Sequence, residues 1–384
     1  MTVVLITGIS GTDVGSFVND AIQIGKDRFH TDFNLIQLGR RMWELDVGKG
    51  ALSYEQWEAT ILNRLAVLPY LRRVAFDSAV HEVRKDKDRI HLILSKATFW
   101  HHKTIIPGFD QTRLNQLDFD YLVTIVNDVI DVWSELRNSH QERWSSLSPI
   151  DVLEWREIET FFTEQMARIL GDEDLPIPFY VLAIRYGPRS LVRLLLKPKS
   201  KKVYRSYPIT FVKARPEVQR EADRLGDHLQ KTAIVFNPRG IQDYDRLRDL
   251  KKEYRKWCKQ KRFAFSATDW QQIVQHVSQQ TVSRDHRLIE QSNYIVVYYP
   301  ELKYYTKKGS KHHLTRLVPF SSGVLDEMHY ATERGKEVLL FWNSKQDSGP
   351  FLSSIHTKKF KSVDALLEFA AAMNTRQAPN HCSR

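Results

Sequence analysis

The chain has 384 residues, enough for two or three domains at roughly 100–200 residues each, which excludes a single small module. Hydrophobic residues at 42%, aromatic residues at 11% and a net charge of +11 exclude a disordered chain and mark a basic globular one. Two cysteines, Cys258 and Cys382, cannot build a disulfide framework or a Cys-rich zinc site, so a reducing compartment, the cytosol, is expected. The opening MTVVLITGIS lacks a basic n-region, and no run approaches the roughly 18 apolar residues of a membrane span, so neither a signal peptide nor a membrane association is expected.

Apolar, β-rich runs alternate with helical patterns twice over. The first unit reads as strands at Val3–Thr7 and Phe33–Leu38, a long amphipathic stretch at Tyr54–Val83, strands at Ile90–Ser95 and Tyr121–Val126, a helix at Pro149–Leu170 and a strand at Phe179–Ile184. A helix through Leu191–Leu196 then runs into Lys197-Pro198-Lys199-Ser200-Lys201-Lys202, a charged and Pro-interrupted segment of the kind that separates domains. The second unit reads as a strand at Val203–Ile209, a helix near Glu217–Leu229, a strand at Ala233–Phe236, a basic helix at Tyr244–Arg262, a helix at Trp270–Ser278, a strand at Tyr294–Tyr299, a helix at Val324–Arg334 and a strand at Val338–Trp342. The expected fold class is α/β, with two doubly wound parallel-sheet domains. Their expected bounds are residues 1–196 and 203–374, joined by a linker at 197–202 and followed by a flexible tail at 375–384.

A strand, the loop Gly8-Ile9-Ser10-Gly11-Thr12-Asp13-Val14-Gly15-Ser16 and then a helix form the setting in which backbone N–H groups cradle phosphate. Gly8, Gly11, Gly15 and Ser16 are its candidate nucleotide-binding residues. The loop resembles that of nucleoside monophosphate kinases, in particular archaeal-type adenylate kinases. The likeness extends to Leu35–Met42, Ile106-Pro107-Gly108-Phe109 and Trp155–Glu159, over most of residues 1–196. It implies a kinase-like fold, but Val14 stands where that family has its phosphate-reaching Lys and Asp13 places a carboxylate among the phosphate positions. Ser95 stands where an acid would help to hold a metal. The domain therefore reads as a degenerate kinase serving sensing or scaffolding, with a working nucleoside monophosphate kinase as the alternative. Arg40, Arg41 and Arg156 are possible partners for a monophosphate.

In the second unit, Pro319-Phe320-Ser321-Ser322-Gly323-Val324-Leu325-Asp326-Glu327 puts two hydroxyls and a glycine just before a helix whose first turn is expected to carry Glu327. This pattern holds an anion and aims a carboxylate, or simply caps the helix. Tyr204-Arg205-Ser206-Tyr207 on the opening strand and Asp285, a helical segment before the strand at Tyr294, fall at the same mouth of an open sheet. Tyr204 also reads as a half-buried strand residue and Asp285 as a helix N-cap.

These residues resemble the nucleoside 2-deoxyribosyltransferase-like superfamily, including the 2'-deoxynucleoside 5'-monophosphate N-glycosidases, over about residues 202–345. The resemblance implies Glu327 as nucleophile, Asp285 as acid or leaving-group orienter and Tyr204 as the residue that aims Glu327. It implies Ser321 on a 5'-phosphate beside Gly323; Ser206, Arg205 and Ser322 are further candidate substrate-binding residues, Arg205 by its charge and Ser322 by its hydroxyl at the helix start. The chain departs from that family at Tyr207, at His329 and in the inserted segment Glu301–Phe320. Phosphoribohydrolases with Pro-Gly-Gly-x-Gly-Thr-x-x-Glu share the proline, glycine and glutamate of Pro319, Gly323 and Glu327, which leaves the sugar open.

Cleaving an N-glycosidic bond builds positive charge at C1' and negative charge on the departing base, which suits one carboxylate on the sugar and one acid on the base. The expected function is thus a nucleotide N-glycosidase that releases a free base, with a transferase or phosphoribohydrolase as the alternative and a non-catalytic sensor as a further one. No cofactor and no metal are expected, since adjacent His312-His313 is poor ligand spacing. The basic runs Asp249–Arg262 and Lys303–Arg316 read as a solvated helix face and a lid over phosphates, with nucleic acid as a less favoured partner. A nucleotide or nucleoside is the expected substrate, and a homo-oligomer the expected assembly.

Overall fold

The structure is a computed structural model and describes all residues except 1, 49–51, 140–141, 172–174, 262–266, 309–310, 346–348 and 376–384. In chain order the strands and helices begin β1 (Thr2–Thr7), α1 (Val14–Phe29), β2 (Phe33–Gln37), α2 (Leu38–Val47), α3 (Tyr54–Ile61), α4 (Leu68–Lys85), β3 (Ile90–Leu94), β4 (Thr98–His101) and β5 (Thr104–Pro107). They continue α5 (Gln111–Leu114), β6 (Tyr121–Val126), α6 (Val129–Asn138), α7 (Pro149–Leu170), β7 (Phe179–Ala183), α8 (Pro188–Leu196), β8 (Lys202–Ser206), α9 (Ile209–Lys213), α10 (Pro216–Thr232) and β9 (Ile234–Phe236). The remainder is α11 (Asp243–Lys261), α12 (Ala267–Glu290), β10 (Tyr294–Tyr299), β11 (Leu302–Lys308), β12 (Lys311–Leu317), α13 (Ser322–Glu333), β13 (Glu337–Trp342), α14 (Gly349–Ser354), β14 (Lys358–Phe360) and α15 (Val363–Thr375).

The fold is mixed α/β with two parallel five-stranded sheets, ordered β2-β3-β1-β6-β7 and β14-β13-β10-β8-β9. The central strands explain why. Strand β1 is buried from Val3 onward and β10 throughout, so each needs apolar or aromatic residues on both faces, and both sequences are continuous apolar runs. Two short antiparallel hairpins, β4–β5 and β11–β12, stand outside the sheets. No helix among the described residues is long and apolar enough to cross a membrane.

The chain divides into two compact units, residues 1–192 with 241–278, and residues 193–240 with 279–384. Within the first unit the returning segment is tied in by charge. The buried Arg156 guanidinium makes two hydrogen bonds to Asp243, of 3.1 and 2.7 Å, and Asp243 also accepts from the Val129 amide at 2.7 Å.

Several local features differ from the sequence expectation. The stretch Tyr54–Val83 is two helices, α3 and α4; Ser53 opens the first with a capping box and Pro69 sits in the first turn of the second. The strand expected to run to Ile209 ends at Ser206 because Pro208 follows it and caps α9. The helix expected at Trp270–Ser278 runs on to Glu290, so Asp285 lies near its C-terminal end and not at an N-cap. The inserted segment Glu301–Phe320 contains the β11–β12 hairpin. The tail from 376 and the end of the basic helix at Arg262 lie outside the described residues, as do the side chains of Lys307, Lys308, Lys311, His312 and His313.

Candidate active site

The second unit brings Glu327, Tyr204 and Ser206 into hydrogen-bond contact at the carboxyl end of its sheet, with Asp285 near enough to act on Glu327 and Tyr204 by its charge. Tyr204 and Ser206 are alternate residues of β8 and therefore share a face, and both are fully buried. Glu327, expected in the first turn of its helix, lies in the second because α13 begins at Ser322, and it turns its carboxylate onto that face. The Tyr204 hydroxyl donates to Glu327 Oε1 at 2.9 Å and the Ser206 hydroxyl donates to Oε2. Asp285 comes from α12, is 8% exposed and is paired with its neighbour Arg284, whose Nη2 donates to Oδ1 at 2.8 Å.

These groups shift one another. Burial of the Glu327 carboxylate, then the charge of Asp285, push it up to about 8, against the hydrogen bonds from Ser206 and Tyr204 that lower it. Asp285 is raised as well, by burial, with Arg284 pulling the other way. Tyr204 is raised far above the phenol range by burial and by the two carboxylates, so it stays a neutral donor. The carboxylates titrate as a pair, and both are held above the ordinary carboxylate range.

Ser321 is the N-cap of α13. Its hydroxyl accepts from the Val324 amide at 3.5 Å, and its own amide donates to the Tyr299 hydroxyl at 2.7 Å. Ser322 and Gly323 are exposed at the start of the helix. Arg205 is not brought to this point. It lies on the opposite face of β8, where its Nη1 donates to the Ala222 carbonyl at 2.8 Å and its guanidinium sits 4.7 Å from the Tyr207 ring centre. Arg284 and Tyr299 belong to the site although no sequence motif points to them. The only sequence signal for Arg284 is its position beside Asp285.

In the first unit, Gly8, Gly11, Gly15 and Ser16 line a cavity at the mouth of that sheet, together with Arg40 and Ser95. Two of the arginines expected there are elsewhere: Arg41 pairs with Glu82, and Arg156 with Asp243. The fully buried Glu159, to which the sequence gives no role, accepts from the amides of Gly8, Ala97 and Thr98 at 3.1, 2.8 and 2.7 Å, tying the loop to the start of β4. Compared with known proteins, the chain matches no protein-family model and no curated protein.

Proposed function

We propose that the Glu327 centre cleaves the N-glycosidic bond of a nucleoside or deoxynucleoside 5'-phosphate and releases the free base. What supports this reading is one juxtaposition: a carboxylate held by two hydroxyls, with a second carboxylate near enough to raise it. In the proposed reaction an ionised Glu327 oxygen attacks C1', the C1'–N bond breaks with its electron pair going to the base, and Asp285 gives that base its proton. Water, deprotonated by Asp285, then attacks C1' and frees Glu327. The working form carries a proton on Asp285. Arg284, by favouring the Asp285 anion, sets how much of that form is present. Ser321, Ser322 and Gly323 at the α13 N-terminus offer donors to a 5'-phosphate. We place the activity in the cytosol, on the basis of two cysteines in 384 residues.

The test is incubation of the full chain with a panel of nucleotides and deoxynucleotides, with and without a second base as acceptor, and chromatography for free base and exchanged nucleoside. Base release that requires Glu327 is expected. Absence of release from every member of the panel overturns the reading, and exchange in place of hydrolysis moves it to a transferase.

A further inference from the structure

The cavity of the first unit, about 610 Å³, is of the size that encloses a small organic ligand, and the Glu327 chemistry makes no use of it. Its floor is the loop after β1, and its walls include Tyr54 and Trp57 of α3, Phe76 of α4 and Phe99 of β4.

Loops of the G-x-x-x-x-G-K-[ST] pattern reach phosphates with the lysine and magnesium with the hydroxyl. Counted from Gly8, those last three positions are here Asp13, Val14 and Gly15. Asp13 adopts the left-handed conformation, φ 58°, with its side chain exposed. Val14 folds back over the loop, so that a β-carbon on Gly8 would lie 2.6 Å from its Cγ2. Positions 14 and 15 of the loop thus hold neither the cation nor the hydroxyl of that pattern.

Charge leads to the same conclusion. The ionisable lining residues are Arg40, Arg72 and Lys96 against Asp13, Glu55 and Glu58, three of each sign. Lys96 is also committed: its ammonium pairs with Glu58 and donates to the Ser10 hydroxyl at 2.6 Å. Arg143 lies 3.5 Å from the other Glu58 oxygen. Burial works to raise the Glu58 carboxyl, yet Lys96 and Arg143 hold it below its ordinary value. A polyanion entering this lining would meet as much negative as positive charge, with little net attraction to replace lost hydration.

What remains is aromatic surface and a buried donor. Tyr54 stacks with Trp57 at 6.0 Å and 30°, and meets Trp43 edge-on at 6.3 Å. Its hydroxyl lies over Gly39, where a β-carbon would come within 2.6 Å. Arg72, which also lines the cavity, has its Nε buried without a hydrogen-bond partner. A flat heterocycle with an acceptor on its edge satisfies both features.

We infer that this cavity binds an unphosphorylated planar nitrogen heterocycle, a nucleobase or its nucleoside, and not ATP. The inference stands on the first unit alone and does not depend on the glycosidase reading.

Hydrogen exchange read by mass spectrometry on the full chain tests it, with free bases, nucleosides, their 5'-monophosphates and Mg-ATP as separate probes. The location of protection distinguishes this cavity from the Glu327 centre. A base or nucleoside should slow exchange in Leu38–Val47 and Tyr54–Ile61 several-fold, and the base and nucleoside arms identify which is held. Protection there by no base or nucleoside, or stronger protection of the loop by ATP than by any of them, overturns the inference. Two variants sharpen it. Tyr54→Ala should weaken binding about tenfold through lost stacking. Glu58→Gln, which leaves Lys96 uncompensated, should raise monophosphate affinity relative to nucleoside; an unchanged ranking in a folded Glu58→Gln protein refutes the charge-balance argument.

Discussion

Both units place their polar groups at the carboxyl end of a parallel five-stranded sheet, yet they distribute charge in opposite ways. In the first, cations meet acids: Lys96 meets Glu58 and the buried Arg156 meets Asp243. In the second, two carboxylates on different helices are held close, and only Asp285 has a cation of its own, Arg284. Opposite charges brought together cancel and leave a quiet surface for recognition. Like charges brought together retain a proton that ordinary carboxyl groups would have lost, and a retained proton is a reagent. The fold supplies the mouth of the sheet in both cases; side-chain identity decides how charge is arranged there.

The contrast is broken most severely by Glu327→Gln, which should lower base release by roughly 10³-fold or more. The same variant should be more stable in alkali. Burial and the Asp285 charge push Glu327 up to about 8 from an ordinary 4.5, so its stabilising contribution is complete below the ordinary value and is lost as pH rises through 8. Removing that liability should raise the melting temperature at pH 8.5 relative to the parent and have less effect at pH 5. Turnover near the parent level, or a lower melting temperature at pH 8.5, refutes the site.

Next in size is Tyr204→Phe, which deletes the 2.9 Å donor to Glu327. A hydrogen bond to a charged group is worth roughly 1.5–3 kcal/mol, so kcat/KM should fall about 10- to 100-fold. With one donor fewer, Glu327 rises further and the alkaline limb of the pH profile moves up. A drop in melting temperature with unchanged kcat/KM and an unmoved limb would mean that Tyr204 only packs.

Ser321→Ala should narrow the preference for a phosphorylated over a free nucleoside by about tenfold, measured as a ratio of kcat/KM values. If the hydroxyl only caps α13, the preference stays and stability drops by about 1 kcal/mol. The smallest expected signal is in the first unit, where labelled ATP and nucleoside monophosphates should yield no labelled diphosphate, since Val14 carries no charge to the loop. Steady diphosphate formation that is lost on mutating Gly11 or Ser16 would make the two mouths alike.

The parallel sheets were legible because β1 and β10 are uninterrupted apolar runs, and Glu327 because Ser321-Ser322-Gly323 announces a helix start with an acid behind it. The misplaced Arg205 follows from strand alternation: if Tyr204 and Ser206 face the site, their neighbour cannot. The break between α3 and α4 was hidden because Leu62, Leu65 and Val67 carry apolar character across the turn. Asp285 reads in sequence as preceding a helix because Gln279–Ser283 is polar and carries no strong periodic signal; only the continuous α12 shows it near the end. Arg284 has no sequence signal of its own, since its value lies in which carboxylate it neutralises. The tie between Arg156 and Asp243 spans 87 residues, and no local pattern encodes a partner that distant.

That tie has a consequence for anyone handling the gene. The polypeptide contributes to the first unit, departs to form β8 and β9, and returns with Asp243 before departing again. A truncation made in the lysine-rich stretch at 197–202 would sever the first unit from part of itself and strip Arg156, 6% exposed in the intact chain, of both its Asp243 countercharge and the segment that brings it. The two halves are therefore not interchangeable cassettes. Shuffling, tagging or separate expression must respect a discontinuous inheritance, in which the half that holds Glu327 carries a segment belonging to its neighbour.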